Sequence, residues 1–114
     1  MVGRKYLNKK VEFDGIKFDS KLEAKRYSEL KLLEKEGIIS FLTLQEKFIL
    51  QDKFRYRGKA IREIAYVCDF RYFDNRTKET VVEDTKGFVT KEYALKRKMF
   101  MFKYPHVLFV EVKK

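Results

Sequence analysis

The sequence has a single cysteine, Cys68, a single histidine, His106, and a single proline, Pro105. One cysteine excludes an internal disulfide and a cysteine-based zinc site, and it suits a reducing cytoplasm. The histidine follows the proline at an expected element boundary, which points to a surface residue rather than a metal ligand. No uninterrupted apolar run approaches membrane-spanning length, and Met1-Val2-Gly3-Arg4-Lys5 has no apolar segment behind its basic residues, so no secretory signal is expected. Repeats, linkers and low-complexity stretches are missing too, and 114 residues suffice for one domain over 1–114 but not for two. Acidic charge is outnumbered: 17 Asp+Glu face 27 Lys+Arg, a net charge of +10. That balance predicts a polyanionic partner. A ribosome-associated or membrane-surface protein would show the same charge, so the charge alone does not choose among them.

What the chain has in quantity is aromatic residues, 7 Tyr and 11 Phe, which favour a globular core over a disordered tail. Residues 1–10 are basic and aperiodic and read as a flexible arm. Val11 to Phe18 alternates apolar and polar around Asp14-Gly15, a dipeptide suited to a two-residue turn, and predicts a small β-hairpin. Ser20-Lys21-Leu22-Glu23 opens a helix running to about Glu36 and ended by Gly37. Residues 38–50 are β-prone. A second hairpin is expected around Gly58-Lys59, with Arg55, Arg57 and Arg62 making its exposed side basic. One long strand is expected over 63–73, then a turn at Asp74-Asn75-Arg76-Thr77 and a strand over Glu79–Lys86. Gly87 breaks it, Thr90 caps a helix over Lys91–Lys103, Pro105 stops that helix, and a last strand covers 107–112.

The chemistry concentrates where the strand Val81-Val82-Glu83-Asp84-Thr85-Lys86 runs from β-branched residues into charge. Strand side chains alternate, so Val82, Asp84 and Lys86 share one face. A carboxylate two residues from an ammonium can hold a divalent cation while the lysine orients or deprotonates a water for attack on a phosphodiester. The plainer alternative is an exposed ion pair on an edge strand. Asp69 sits mid-strand between Val67 and Arg71, where aspartate is disfavoured, and such a residue marks function. A turn centred between Arg76 and Thr77 pairs Phe73 with Thr80 and sets Asp69 opposite Asp84, with Cβ atoms ~4.5 to 5.5 Å apart, close enough to chelate one cation. A one-residue slip would oppose Asp69 to Glu83 instead. Glu23 projects into the apolar face of the first helix. Ser20-x-x-Glu23 fits a capping box, and a carboxylate aimed that way also fits a ligand reaching over the sheet. Hard oxygen ligands without a histidine or cysteine cluster favour Mg2+ or Mn2+ over zinc. Lys91, Lys96, Arg97 and Lys98 are spread around the second helix, so some face outward near Lys86, as phosphate contacts or as a merely solvated face.

Glu23, then Asp69, then Asp84-Thr85-Lys86, in the order helix, strands, helix, strand, resembles the PD-(D/E)XK nuclease superfamily over about residues 20–112. Lys9 to Ala24 followed by Val82-Glu83-Asp84-Thr85-Lys86-Gly87 looks, more narrowly, like a small phage-borne family of that superfamily. The resemblance implies an α+β fold with an αβββαβ core, a mixed sheet flanked by helices, here preceded by the N-terminal hairpin. It implies metal ligation by Asp69, Asp84 and the backbone carbonyl of Thr85, a water-positioning role for Lys86, and for Glu23 the helix acid of the resolvase-like branch. Two departures stand out: Cys68 replaces the signature's proline, and Glu83 competes with Asp84 as the second acid. The expected activity is Mg2+-dependent hydrolysis of DNA phosphodiesters, selective for branched DNA because so small a domain has no room for a sequence-reading module. Paired incision of a four-way junction implies a homodimer. The alternatives are a non-catalytic nucleic-acid-binding protein with a nuclease fold, and a transposition-type or RNA nuclease.

Overall fold

A computed structural model describes residues 10–86 and 88–113. The basic arm through Lys9 and the Gly87 strand break therefore lie outside the described residues. Lys10, the last residue of that arm, places its Nζ 2.7 Å from Asp19 Oδ1.

The first hairpin joins β1 (Val11–Phe13) to β2 (Ile16–Phe18) through Asp14 and Gly15, both at positive φ (58° and 75°) as the Asp-Gly dipeptide requires. Ser20 then caps α1 (Lys21–Lys35), its Oγ accepting from the Glu23 N–H at 3.1 Å, and Gly37 leaves the helix at φ 78°. Helix α2 (Lys91–Lys103) is capped in the same way by Thr90.

Between the helices run β3 (Ile39–Leu44), β4 (Lys47–Gln51), β5 (Phe54–Tyr56), β6 (Lys59–Ile61), β7 (Ile64–Val67), β8 (Phe70–Asp74) and β9 (Glu79–Lys86), and β10 (Leu108–Lys113) closes the chain. Four strands form the central sheet in the order β10-β9-β8-β3, with β9 and β10 parallel and the other pairs antiparallel. The parallel pair needs a crossover, which α2 supplies. The fold is thus a mixed α+β domain in which α1, β3, β8, β9, α2 and β10 follow the expected α-β-β-β-α-β order, with β4 to β7 inserted as a two-stranded arm. No described helix is long and apolar enough to cross a membrane.

Strand β9 is covered on both faces, which explains its unbroken Val81-Val82 pair. Val81 joins Tyr27 and Leu30 of α1 with Phe70 and Tyr72, whereas Val82 joins Tyr66, Cys68 and Phe100 of α2. Two expected strands are each divided. Residues 38–50 bend at Gln45 (φ 55°), and the strand expected over 63–73 breaks at Cys68 and Asp69. Pairing continues through both bends, Gln45 N–H donating to Asp69 O and Cys68 N–H to Glu46 O. The break has a consequence for the core. Unbroken alternation would put Tyr66, Cys68, Phe70 and Tyr72 on one face, but the first two pack toward α2 and the last two toward α1.

Candidate active site

The β8–β9 ladder pairs Asp74 with Glu79, Phe73 with Thr80 and Phe70 with Glu83, the register expected from a turn centred between Arg76 and Thr77. Past β8 that register gives way: Asp69 N–H donates to Glu83 O at 3.2 Å, so Asp69 and Asp84 are not the directly facing pair expected from the turn. Asp69 therefore sits at the kink, free of strict strand alternation, and its carboxylate turns onto the end of β9. Its Oδ2 accepts from Thr85 N–H at 2.7 Å and from Thr85 Oγ1–H at 2.8 Å. Such kinks commonly re-aim a side chain beside a functional site.

Asp84 is 1% exposed, on the α2 face of β9. Its Oδ2 accepts a hydrogen bond from the Tyr66 hydroxyl. Its Oδ1 is ion-paired with Lys86 Nζ at 2.6 Å and has no other partner. Burial raises the pKa of this carboxyl, the charge of Asp69 raises it further, and Lys86 and Tyr66 oppose both. The Lys86 ammonium also stands 4.5 Å from the centre of the Tyr93 ring. Tyr93 is fixed in turn by its hydroxyl donating to Glu111 Oε2 at 2.7 Å, and that carboxylate also pairs with Arg97.

Glu23 is buried at 5% exposure in the first turn of α1. Its carboxyl is pushed up to about 7, first by burial, then by the charges of Asp69 and Asp19 and more weakly by that of Asp84. The cap and the acid are thus separable: Ser20 uses the backbone N–H of Glu23, while the carboxyl senses Asp69 across the sheet end. Glu83 points the other way from Asp84. Arg26 clamps it with two bonds of 2.7 Å, Nε to Oε1 and Nη2 to Oε2, and the Tyr72 hydroxyl donates to Oε2.

Glu23, Asp69, Asp84 and Lys86 therefore gather about the ends of β8 and β9, close enough for the charge of Asp69 to raise the pKa of both Glu23 and Asp84. They do not close on one point: among the described residues no three acid, histidine or cysteine side chains stand together as a ready metal cluster. The donors that are present fit a hard divalent cation, since all are oxygens and one of them, Asp84 Oδ1, is buried with only the Lys86 ammonium beside it.

The basic residues divide. On α2, Lys91 and Lys98 are exposed, whereas Lys96 pairs with Glu92 at 3.2 Å and the Arg97 guanidinium turns inward to Glu111 and Tyr93. Lys98 borders an apolar hollow of about 390 Å3 shared with Leu50, Met99, Phe102 and Lys103, none of them an acid. Arg55, Arg57 and Arg62 are exposed on the arm.

Sequence reasoning missed Tyr66, Tyr93 and Arg26. Tyr66 belongs to the apolar face of its strand, and nothing in its spacing from Asp84 marks its hydroxyl as a partner. Arg26 is 57 positions from Glu83, beyond any local pattern.

Fold and site together define an α+β domain carrying a buried aspartate, a second aspartate and a lysine at adjacent strand ends. The chain belongs to the family described as protein of unknown function (DUF1064), whose model matches residues 3–114. No curated protein matches it.

Proposed function

We propose that this protein is a metal-dependent endonuclease of the PD-(D/E)XK type that hydrolyses DNA phosphodiesters, selectively on branched DNA. The observation that carries the proposal is Asp84 on β9, buried at 1% exposure, with Lys86 Nζ 2.6 Å from its Oδ1 and with Asp69 fastened to the intervening Thr85. The α-β-β-β-α-β order of α1, β3, β8, β9, α2 and β10 supports it, because that superfamily has the same core order.

Asp69, Asp84, Glu23 and the Thr85 carbonyl would hold Mg2+ or Mn2+, which when bound polarises the phosphate and acidifies a water. The chain's own groups do the rest. Lys86 presents an ammonium beside Asp84, where it can position a water and offset phosphate charge. Tyr66 restrains one oxygen of Asp84, leaving the other toward Lys86. Lys91, Lys98 and the arginines of the arm supply phosphate contacts, which give affinity without base specificity. Paired incision of a four-way junction needs two such sites and hence a homodimer.

A second reading, a nucleic-acid-binding protein with a silent nuclease fold, draws support from the lack of a ready three-acid cluster among the described residues. The test is incubation of the purified protein with linear, flapped and four-way DNA in Mg2+, Mn2+ or EDTA. Metal-dependent cuts near branch points support the proposal. Binding without cleavage in any metal supports the second reading, and faster cleavage of RNA would move the substrate class.

A further inference from the structure

The arm formed by β4 to β7 is anchored at its base and bare at its tip. At the base Leu50 is buried, Phe48 packs edge-to-face on Phe100 and Tyr104, and the Tyr104 hydroxyl donates to Ile49 O at 3.0 Å. Beyond Gln51 the chain pairs only with itself, β5 against β6, turning through Arg57 and Gly58 at φ 47° and 83°. Every residue over 51–60 is exposed.

The register sorts the side chains of this tip. Phe54 faces Ile61 and Tyr56 faces Lys59, so both rings lie on one side of the ribbon, with Arg55 and Ala60 on the other. Phe54 is 44% and Tyr56 60% exposed, and neither has an aromatic neighbour among the described residues. Rings with no core to serve are set among charge of one sign, since every charged residue over 53–62 is basic. Lys53, Arg57, Lys59 and Arg62 make no ion pair among the described residues.

From this juxtaposition we infer that the tip of the arm is a stacking site for unpaired bases, with Tyr56 and Phe54 as platforms and Lys59, Arg57 and Lys53 along the backbone of a single strand. Paired bases keep their faces inside the helix and offer nothing to an exposed ring, whereas a flap or an opened junction centre offers bare faces to stack on. The inference rests on the nucleic-acid part of the proposed function and deepens it: the branched substrate is recognised by its unpaired nucleotides, by a surface apart from the acids.

The test is anisotropy titration of labelled single-stranded and duplex DNA of equal length, in EDTA so that nothing is cut. Tyr56→Ala or Phe54→Ala weakens single-strand binding about tenfold, leaves duplex binding within twofold and leaves the salt slope unchanged, because no phosphate contact is lost. Tyr56→Phe keeps the wild-type affinity and Tyr56→Leu does not, which separates a ring from mere apolar bulk. Circular dichroism checks that these exposed substitutions leave the fold intact. Wild-type single-strand affinity in both alanine variants overturns the inference, as does equal weakening toward duplex. A change of oligomeric state without a change in single-strand affinity overturns it too, making the face a contact between copies of the chain. Ring-dependent binding by a protein that cuts nothing would sink the nuclease proposal alone; cleavage of branched DNA that ignores both rings would sink the stacking site alone.

Discussion

Strand β9 buries a carboxylate on each face, and the two are treated differently. Glu83, toward α1, has both oxygens bonded: Arg26 reaches each at 2.7 Å and Tyr72 adds a third bond. Asp84, toward α2, has a tyrosine on one oxygen and only the Lys86 ammonium, at 2.6 Å, on the other. Each face thus has an acid, a tyrosine and a cation, but at Glu83 the cation is a guanidinium fixed by two bonds and at Asp84 a single ammonium on a flexible stem. A satisfied buried pair has no capacity left for a ligand, and breaking it exposes an uncompensated charge. A buried oxygen held only by a movable ammonium can exchange it for a metal cation. The comparison gives Glu83 the part of holding β9 against α1, and leaves Asp84 as the acid the proposed chemistry would use.

The largest effect expected from breaking this contrast is on cleavage. Asp84→Asn should slow Mg2+-dependent incision by at least about a hundredfold, the scale of loss when groups that tune a metal are removed, while binding to DNA in EDTA stays equal or tightens. Asp69→Ala should behave alike. The effect on the other face is on stability: Glu83→Gln leaves the Arg26 charge without its partner and should cost about 2 to 3 kcal/mol by urea denaturation, below the fully buried range because the Arg26 side chain keeps 24% exposure. Once folded, that variant should cut DNA at near wild-type rates. An inactive Glu83→Gln beside an active Asp84→Asn would reverse the assignment.

A smaller effect should come from Tyr93, whose ring lies under Lys86. Tyr93→Phe keeps the ring and loses only the bond to Glu111, so it should cut within about threefold of wild type, while Tyr93→Leu should lose about tenfold through the missing cation–π contact. Equal rates in the two variants would mean the ring does not set Lys86.

The smallest effect concerns pH and Glu23. Its folded pKa of about 7 lies above the ordinary 4.5, so the fold holds the protonated form. The stabilisation is complete below pH 4.5 and is lost as pH rises through about 7. In EDTA, melting temperature relative to Glu23→Gln should therefore fall across that window, and the variant should lack the slope. Glutamine keeps the backbone N–H that Ser20 caps, so full activity in Glu23→Gln would reduce Glu23 to a buried acid with no part in catalysis.

Much of this was legible because local chemistry decided it. Asp14-Gly15 specifies a turn, Ser20 and Gly37 bound α1, Thr90 and Pro105 bound α2, and the cluster from Asp74 to Lys78 sets the register that separates Glu83 from Asp84. The kink at Asp69 was hidden because Tyr66, Cys68, Phe70 and Tyr72 alternate as one apolar face although they serve two cores. Charge counts on α2 could not tell Arg97, turned in to Glu111, from Lys91, turned out, since that depends on a carboxylate in β10. Satisfaction of a buried acid is likewise set by partners far along the chain, Tyr72 for Glu83 and Tyr66 for Asp84.

Calorimetric titration of Mn2+ into the wild type, Glu83→Gln and Asp84→Asn, with no DNA present, tests the unequal faces of β9 most directly. A metal-holding Asp84 face predicts that the wild type and Glu83→Gln bind the ion with similar affinity and that Asp84→Asn does not bind it. Retained binding in Asp84→Asn together with lost binding in a folded Glu83→Gln would contradict it.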